Sequence, residues 1–121
     1  MKSHHDLDVW RGSIALAKTI YELTSQFPKQ ETYGLTAQIR RAAVSIASNI
    51  AEGAARQGTK EFVQFLYAAV GSASELDTQL EIAKAVEMVS NDAAGKAQGD
   101  VTRILKMLRG LIRSLQAPGA A

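Results

Sequence analysis

The sequence predicts an all-α domain, an antiparallel up-down-up-down four-helix bundle, and three observations predict it. Ile39, Ala43, Ile46 and Ile50 recur four, three and four residues apart, which places them in one seam on one side of a helix. Phe62, Leu66, Ala69, Ala73, Leu76, Leu80 and Ala83 continue the same alternation over three heptads. The only prolines, Pro28 and Pro118, stand outside these runs, and no segment shows the two-residue alternation of a half-buried strand.

The first helix is expected over residues 8–26. Trp10, Ile14, Ala17 and Tyr21 form one apolar stripe, with Leu16, Ile20, Leu23 and Phe27 beside it. Two adjoining stripes suit a helix packed between two neighbours at a bundle corner. Phe27-Pro28 ends it, because the residue before proline is pushed out of the helical region.

The second helix is expected over residues 35–55, entered through Gly34. Gly58 suits the position just past its end, and Thr59 an N-cap for the third. The third helix is expected over residues 60–89, with small residues Ala69, Gly71 and Ala73 where a neighbour could approach closely. Ser90 or Asn91 caps a fourth helix over residues 91–116. Its first half is poor helix material, since Gly95 and Gly99 each cost about 1 kcal/mol relative to Ala. Its second half presents Val101, Ile104, Leu105, Leu108, Leu111, Ile112 and Leu115 on one face.

Helices of this length span about 30–45 Å, and such a slender rod leaves apolar surface over. Val44, Phe65, Val70 and Val86 lie off the main seams and either widen the core or support self-association.

Composition bounds the function. One chain of 121 residues with 46% apolar content and a net charge of +2 is an ordinary single domain. There is no cysteine, hence no disulfide or thiolate metal site, and a reducing cytoplasm is the expected setting. The opening residues are polar and predict no secretory leader, and no apolar run reaches the length of a membrane span.

Enzyme signatures are missing. The only histidines are His4 and His5, in an expected polar tail, so inward Glu-x-x-His pairs for a di-iron centre cannot form. Arg40, Arg41 and Arg56 lack the following helical histidine used by bundle-type ribonucleases, and there is no phosphate-binding glycine loop. Glu75, Asp77 and Glu81 could share a cation, the basis of a metal-dependent hydrolase reading, but suit a solvated outer face better. The expectation is no enzyme, no cofactor and no metal.

The cations are more suggestive. Arg103, Lys106, Arg109 and Arg113 occupy about a third of the fourth helix's circumference, and no acid follows Asp100. The third helix is acidic instead, with Glu61, Glu75, Asp77, Glu81 and Glu87 against Lys60 and Lys84. The basic stripe either lies against that acidic helix and its own C-terminal dipole, or faces phosphates. Without aromatics between its cations it suits backbone contact rather than base stacking. Candidate nucleic-acid contacts are therefore Arg40, Arg41, Arg56, Arg103, Lys106, Arg109 and Arg113. Asn49 and Glu52 are candidates for structural hydrogen bonds or a subunit contact.

Particular residues carry a family resemblance. Leu7-Asp8-Val9-Trp10 is followed by Tyr21-Glu22-Leu23-Thr24 with Phe27-Pro28, then Tyr33-Gly34-Leu35 and Gln38-Ile39-Arg40-Arg41-Ala42-Ala43. Asn49-Ile50-Ala51-Glu52-Gly53, Arg56, Glu61-Phe62, Phe65-Leu66, Glu75-Leu76 and Gln79-Leu80 complete the order. In this spacing the chain resembles four-helix-bundle proteins related to those encoded by intervening sequences in bacterial 23S ribosomal RNA genes. It departs from the pattern over residues 91–99, where glycines and small residues replace a Glu-rich turn. The resemblance implies a homopentameric barrel. It also implies kinship in fold with the accessory protein of diversity-generating retroelements, which works with a reverse transcriptase and nucleic acid.

The leading expectation is a non-enzymatic homo-oligomer that binds nucleic acid, RNA or DNA, or a ribonucleoprotein through basic helix faces. The alternative is an assembly or adaptor protein that presents grooves to a protein partner and binds no nucleic acid.

Overall fold

The structure, a computed structural model, describes residues 1–119. Among the described residues all regular structure is helical: α1 (Asp8–Thr24), α2 (Leu35–Ala54), α3 (Thr59–Ala85) and α4 (Asn91–Gln116). Short 3-10 turns occupy His4–Asp6 and Lys29–Glu31. α2 packs on α3, α3 on α4, and α1 on both α2 and α4, so the four helices enclose one core. α2 and α4 sit across that core and do not touch.

The seam of α2 is fully sequestered: Ile39, Ala43, Ile46 and Ile50 are at most 1% exposed. Leu66, Ala69, Ala73, Leu76, Leu80 and Ala83 of α3 face it, and Val101, Ile104, Leu108 and Ile112 of α4 complete the wall. Burying each large aliphatic side chain contributes about 1.5–3 kcal/mol. α2 and α3 approach closely at Gly53. A Cβ there would lie 2.7 Å from Phe65 Cβ and 3.1 Å from the Phe62 carbonyl oxygen.

α1 buries one stripe where two were expected. Val9, Ser13, Leu16, Ile20 and Thr24 face the core, while Ile14 and Tyr21 are each 46% exposed. The two neighbours of α1 share a single face of it, so Trp10 and Ala17 pack at the edge of the core while Ile14 and Tyr21 of the same stripe turn outward. Polar Ser13 and Thr24 are tolerated inside because each hydroxyl donates to a carbonyl of its own helix, Trp10 and Ile20, at 2.7 Å. Of the off-seam residues, Val70 packs against the core and Phe65 is half-buried, whereas Val44 and Val86 stay exposed.

Helix ends differ from the sequence expectation for local reasons. α1 stops at Thr24, since the Phe27 amide turns back to the Thr24 carbonyl before Pro28 is reached. α3 stops at Ala85, four residues short of the expected end. Glu87 takes the left-handed conformation (φ 63°), and the Met88 amide donates to the Ala83 carbonyl at 2.9 Å. That six-to-one bond is the Schellman closure, with glutamate where glycine is usual. Gly58 rather than Thr59 is the N-cap of α3, and Ser90 caps α4 by accepting from the Ala93 amide.

The opening residues, read as a polar tail, fold against α1. Ser3 and Asp6 form a reciprocal cap on the turn at His4–Asp6. The His4 and His5 rings lie 4.9 and 4.6 Å from the half-buried Trp10. The backbone amides of Lys2 and Ser3 hold the Asp6 carboxyl below its ordinary range.

Candidate functional site

Three side chains of the 33–53 region and its exit are engaged within the chain. Arg40 turns towards α1: its Nε donates to Thr24 Oγ1 at 2.8 Å, and its guanidinium lies 4.5 Å from the centre of the Tyr21 ring. Asn49 donates to the Ser45 carbonyl and hydroxyl at 3.0 and 3.1 Å, and Ser45 joins the Ser72 hydroxyl of α3 at 3.0 Å. Arg56 lies past the end of α2, pairs with Glu52 at 3.3 Å and stacks on Phe65 at 4.8 Å. Arg40 and Arg56 are thereby occupied in joining neighbouring elements.

Arg41 behaves differently, although it is the next residue. One position along a helix is a rotation of about 100°, so it leaves the α1 side. It is exposed and lines a cleft of about 320 Å³ with Gln38, Ala42, Ser45, Glu75 and Gln79.

The α4 cations all face outward. Arg103 pairs with Asp100 at 3.3 Å, an exposed contact of small energetic weight. Lys106, Arg109 and Arg113 are exposed, and none of them has an acidic partner among the described residues. The acidic face of α3 does not neutralise them. Glu81 is instead held by Gln98 of α4 at 3.1 Å and Lys84 at 3.0 Å. The Gln98 bond is the main reason its carboxyl stays below the ordinary glutamate range, with Lys84 adding to it. The α4 stripe and Arg41 sit on helices that do not touch, so the seven cations form no single patch.

Glu75, Asp77 and Glu81 do not converge: among the described residues no three acids or histidines are placed to hold a metal ion. No helix there is long and apolar enough to cross a membrane. The cleft residues Gln38 and Gln79 were missed as a site from sequence. Their signal was weak, a glutamine next in sequence to an apolar seam residue, Ile39 or Leu80.

An open groove of about 700 Å³ lies at one end of the bundle, where Leu35, Ile82, Val86 and Met88 share the lining with polar Gln30, Glu31 and Gln38. Tyr33, 96% exposed, stands beside it in sequence.

Comparison with known proteins gives a consistent picture. The family model described as 23S rRNA-intervening sequence protein matches residues 5–110. A crystal structure from Bacteroides thetaiotaomicron, of a protein of unknown function from the S23 ribosomal protein family, superposes with a TM-score of 0.81 at 27% identity. The match covers 87% of this chain and 98% of that one. Among curated proteins none matches the chain.

Proposed function

We propose, from the premise that the chain belongs to the 23S rRNA-intervening sequence protein family, that it is a non-enzymatic homo-oligomer which binds nucleic acid along α4. One observation carries this reading. Lys106, Arg109 and Arg113 project from a single exposed helix face, and among the described residues no carboxylate pairs with them. Cations left in that state attract polyanions and release their counterions on contact. α4 carries no aromatic side chain, which fits contact with phosphates rather than with stacked bases.

The helices run antiparallel in this reading. Gly53 meets Phe62 and Phe65 while Ser45 meets Ser72, so positions fall along α2 as they rise along α3. Assembly, a pentamer by family resemblance, repeats the α4 stripe around the particle and multiplies a weak contact. The exposed Tyr33, Ile82 and Val86 are apolar surface available for that assembly.

The test is a titration of labelled RNA and duplex DNA at several salt concentrations. Each phosphate contact contributes a slope of about −0.9 in log K against log salt for duplex. Replacing Lys106, Arg109 and Arg113 by alanine should flatten that slope by roughly 3 units. No binding at low salt ends the proposal.

The open groove at the end of the bundle favours a second reading, an adaptor whose groove receives a protein partner. Val86→Glu separates the two: it should abolish partner capture if the adaptor reading holds, and leave nucleic-acid binding unchanged if α4 carries the function.

A further inference from the structure

The cleft between α2 and α3 holds polar groups that the bundle itself leaves unused. Gln79 is 7% exposed, its Oε1 is sealed from solvent, and that oxygen accepts no hydrogen bond. Buried polar atoms in folded proteins nearly always have a partner; Gln79 lines the cleft, and a turn of its side chain would bring the amide to an occupant there. Arg41 and Glu75 carry opposite charges on the lining of the same cleft. They form no ion pair with each other or with any other described residue. Ser45, by contrast, is already held by Asn49 and Ser72, which fixes that part of the lining.

We infer that this cleft binds a single unpaired guanine base. Its volume, about 320 Å³, lies at the lower end for small-ligand pockets, which run from about 300 to 1,000 Å³. An ionised Glu75 only accepts, and Arg41 only donates. Guanine alone among the four bases presents two adjacent donors on its pairing edge, N1–H and the N2 amino group, to a carboxylate. Adenine, cytosine and uracil each set a lone pair next to their donor there. Guanine also offers O6 and N7, the acceptor pair that an arginine fork matches. The Gln79 amide supplies a donor or an acceptor according to which way it is turned. Recognition of splayed-out bases in single strands works through such edges.

The inference rests on the nucleic-acid reading, with α4 taking the backbone and the α2–α3 cleft taking the base, but the two fail separately. The experiment uses the full chain labelled with nitrogen-15, titrated with GMP, IMP, AMP, CMP and UMP at low salt. GMP should move the Gln79 side-chain amide signal. IMP, which lacks only the N2 amino group, should bind roughly tenfold more weakly, the loss of one well-placed pairing contact. Glu75→Gln should remove the preference for GMP over IMP while leaving the fold intact, since Glu75 is exposed. An equal response to all five nucleotides, or none, overturns the inference. So does a Gln79 signal that moves with protein concentration and ignores nucleotides, which would assign the cleft to a subunit contact. A GMP response without oligonucleotide binding upholds the cleft and removes the α4 reading.

Discussion

Arg40 Nε donates to the Thr24 hydroxyl at 2.8 Å, and this bond joins the last turn of α1 to the first half of α2. Thr24 is 2% exposed and its hydroxyl donates to the Ile20 carbonyl, so the arginine heads a short hydrogen-bonded chain. Charge-assisted bonds of this kind contribute about 1.5–3 kcal/mol. Stacking on Tyr21 adds about 0.5–1 kcal/mol at a partly exposed site. Arg40→Ala should therefore lower unfolding stability by roughly 2 kcal/mol in urea titrations. Its effect on nucleic-acid affinity should be small.

Gly53 and Gly71 should respond to alanine with opposite signs. At Gly53 the new methyl meets Phe65 Cβ and the Phe62 carbonyl oxygen, backbone-linked atoms that cannot swing away. Overpacking should cost about 1–3 kcal/mol. At Gly71 nothing lies within 4 Å, so helix propensity acts alone and Gly71→Ala should gain up to about 1 kcal/mol. Thermal melts of the two single variants check the pair.

Glu87 holds a left-handed conformation that costs a side-chain-bearing residue about 1–2 kcal/mol. Glu87→Gly should relieve much of it and raise the melting temperature. The Met88 to Ala83 bond already fixes the local geometry, so the amide signals of residues 83–90 should stay in place.

Glu81 gives a pH signature. Its folded-state carboxyl lies below the ordinary range, so its contribution is present at neutral pH and is lost as acid carries the solution through the depressed value. Gln98→Ala should raise the Glu81 titration midpoint towards the ordinary range in carbon-13 NMR. An unmoved midpoint would mean that Lys84 alone sustains the shift.

Much of this architecture is written in local pattern. The seam Ile39, Ala43, Ile46, Ile50 is visible because helix period and burial are repeated over adjacent turns. The end of α3 was not visible, because a left-handed glutamate leaves no compositional mark such as glycine would. The Trp10, Ile14, Ala17, Tyr21 stripe of α1 was misleading for another reason. Ile14 and Tyr21 have the chemistry of core residues, and only the placement of α2 and α4 leaves them outside.

Sequence by itself determined the helical class, the principal seams and the family, since each depends on residue types at fixed spacing. Tertiary structure decided which cations are available. Arg40 and Arg41 are adjacent and chemically identical, yet one is held against Thr24 and Tyr21 while the other lines a cleft with Gln79. A rotation of about 100° separates them, and what each meets is set by the helix packed on that side.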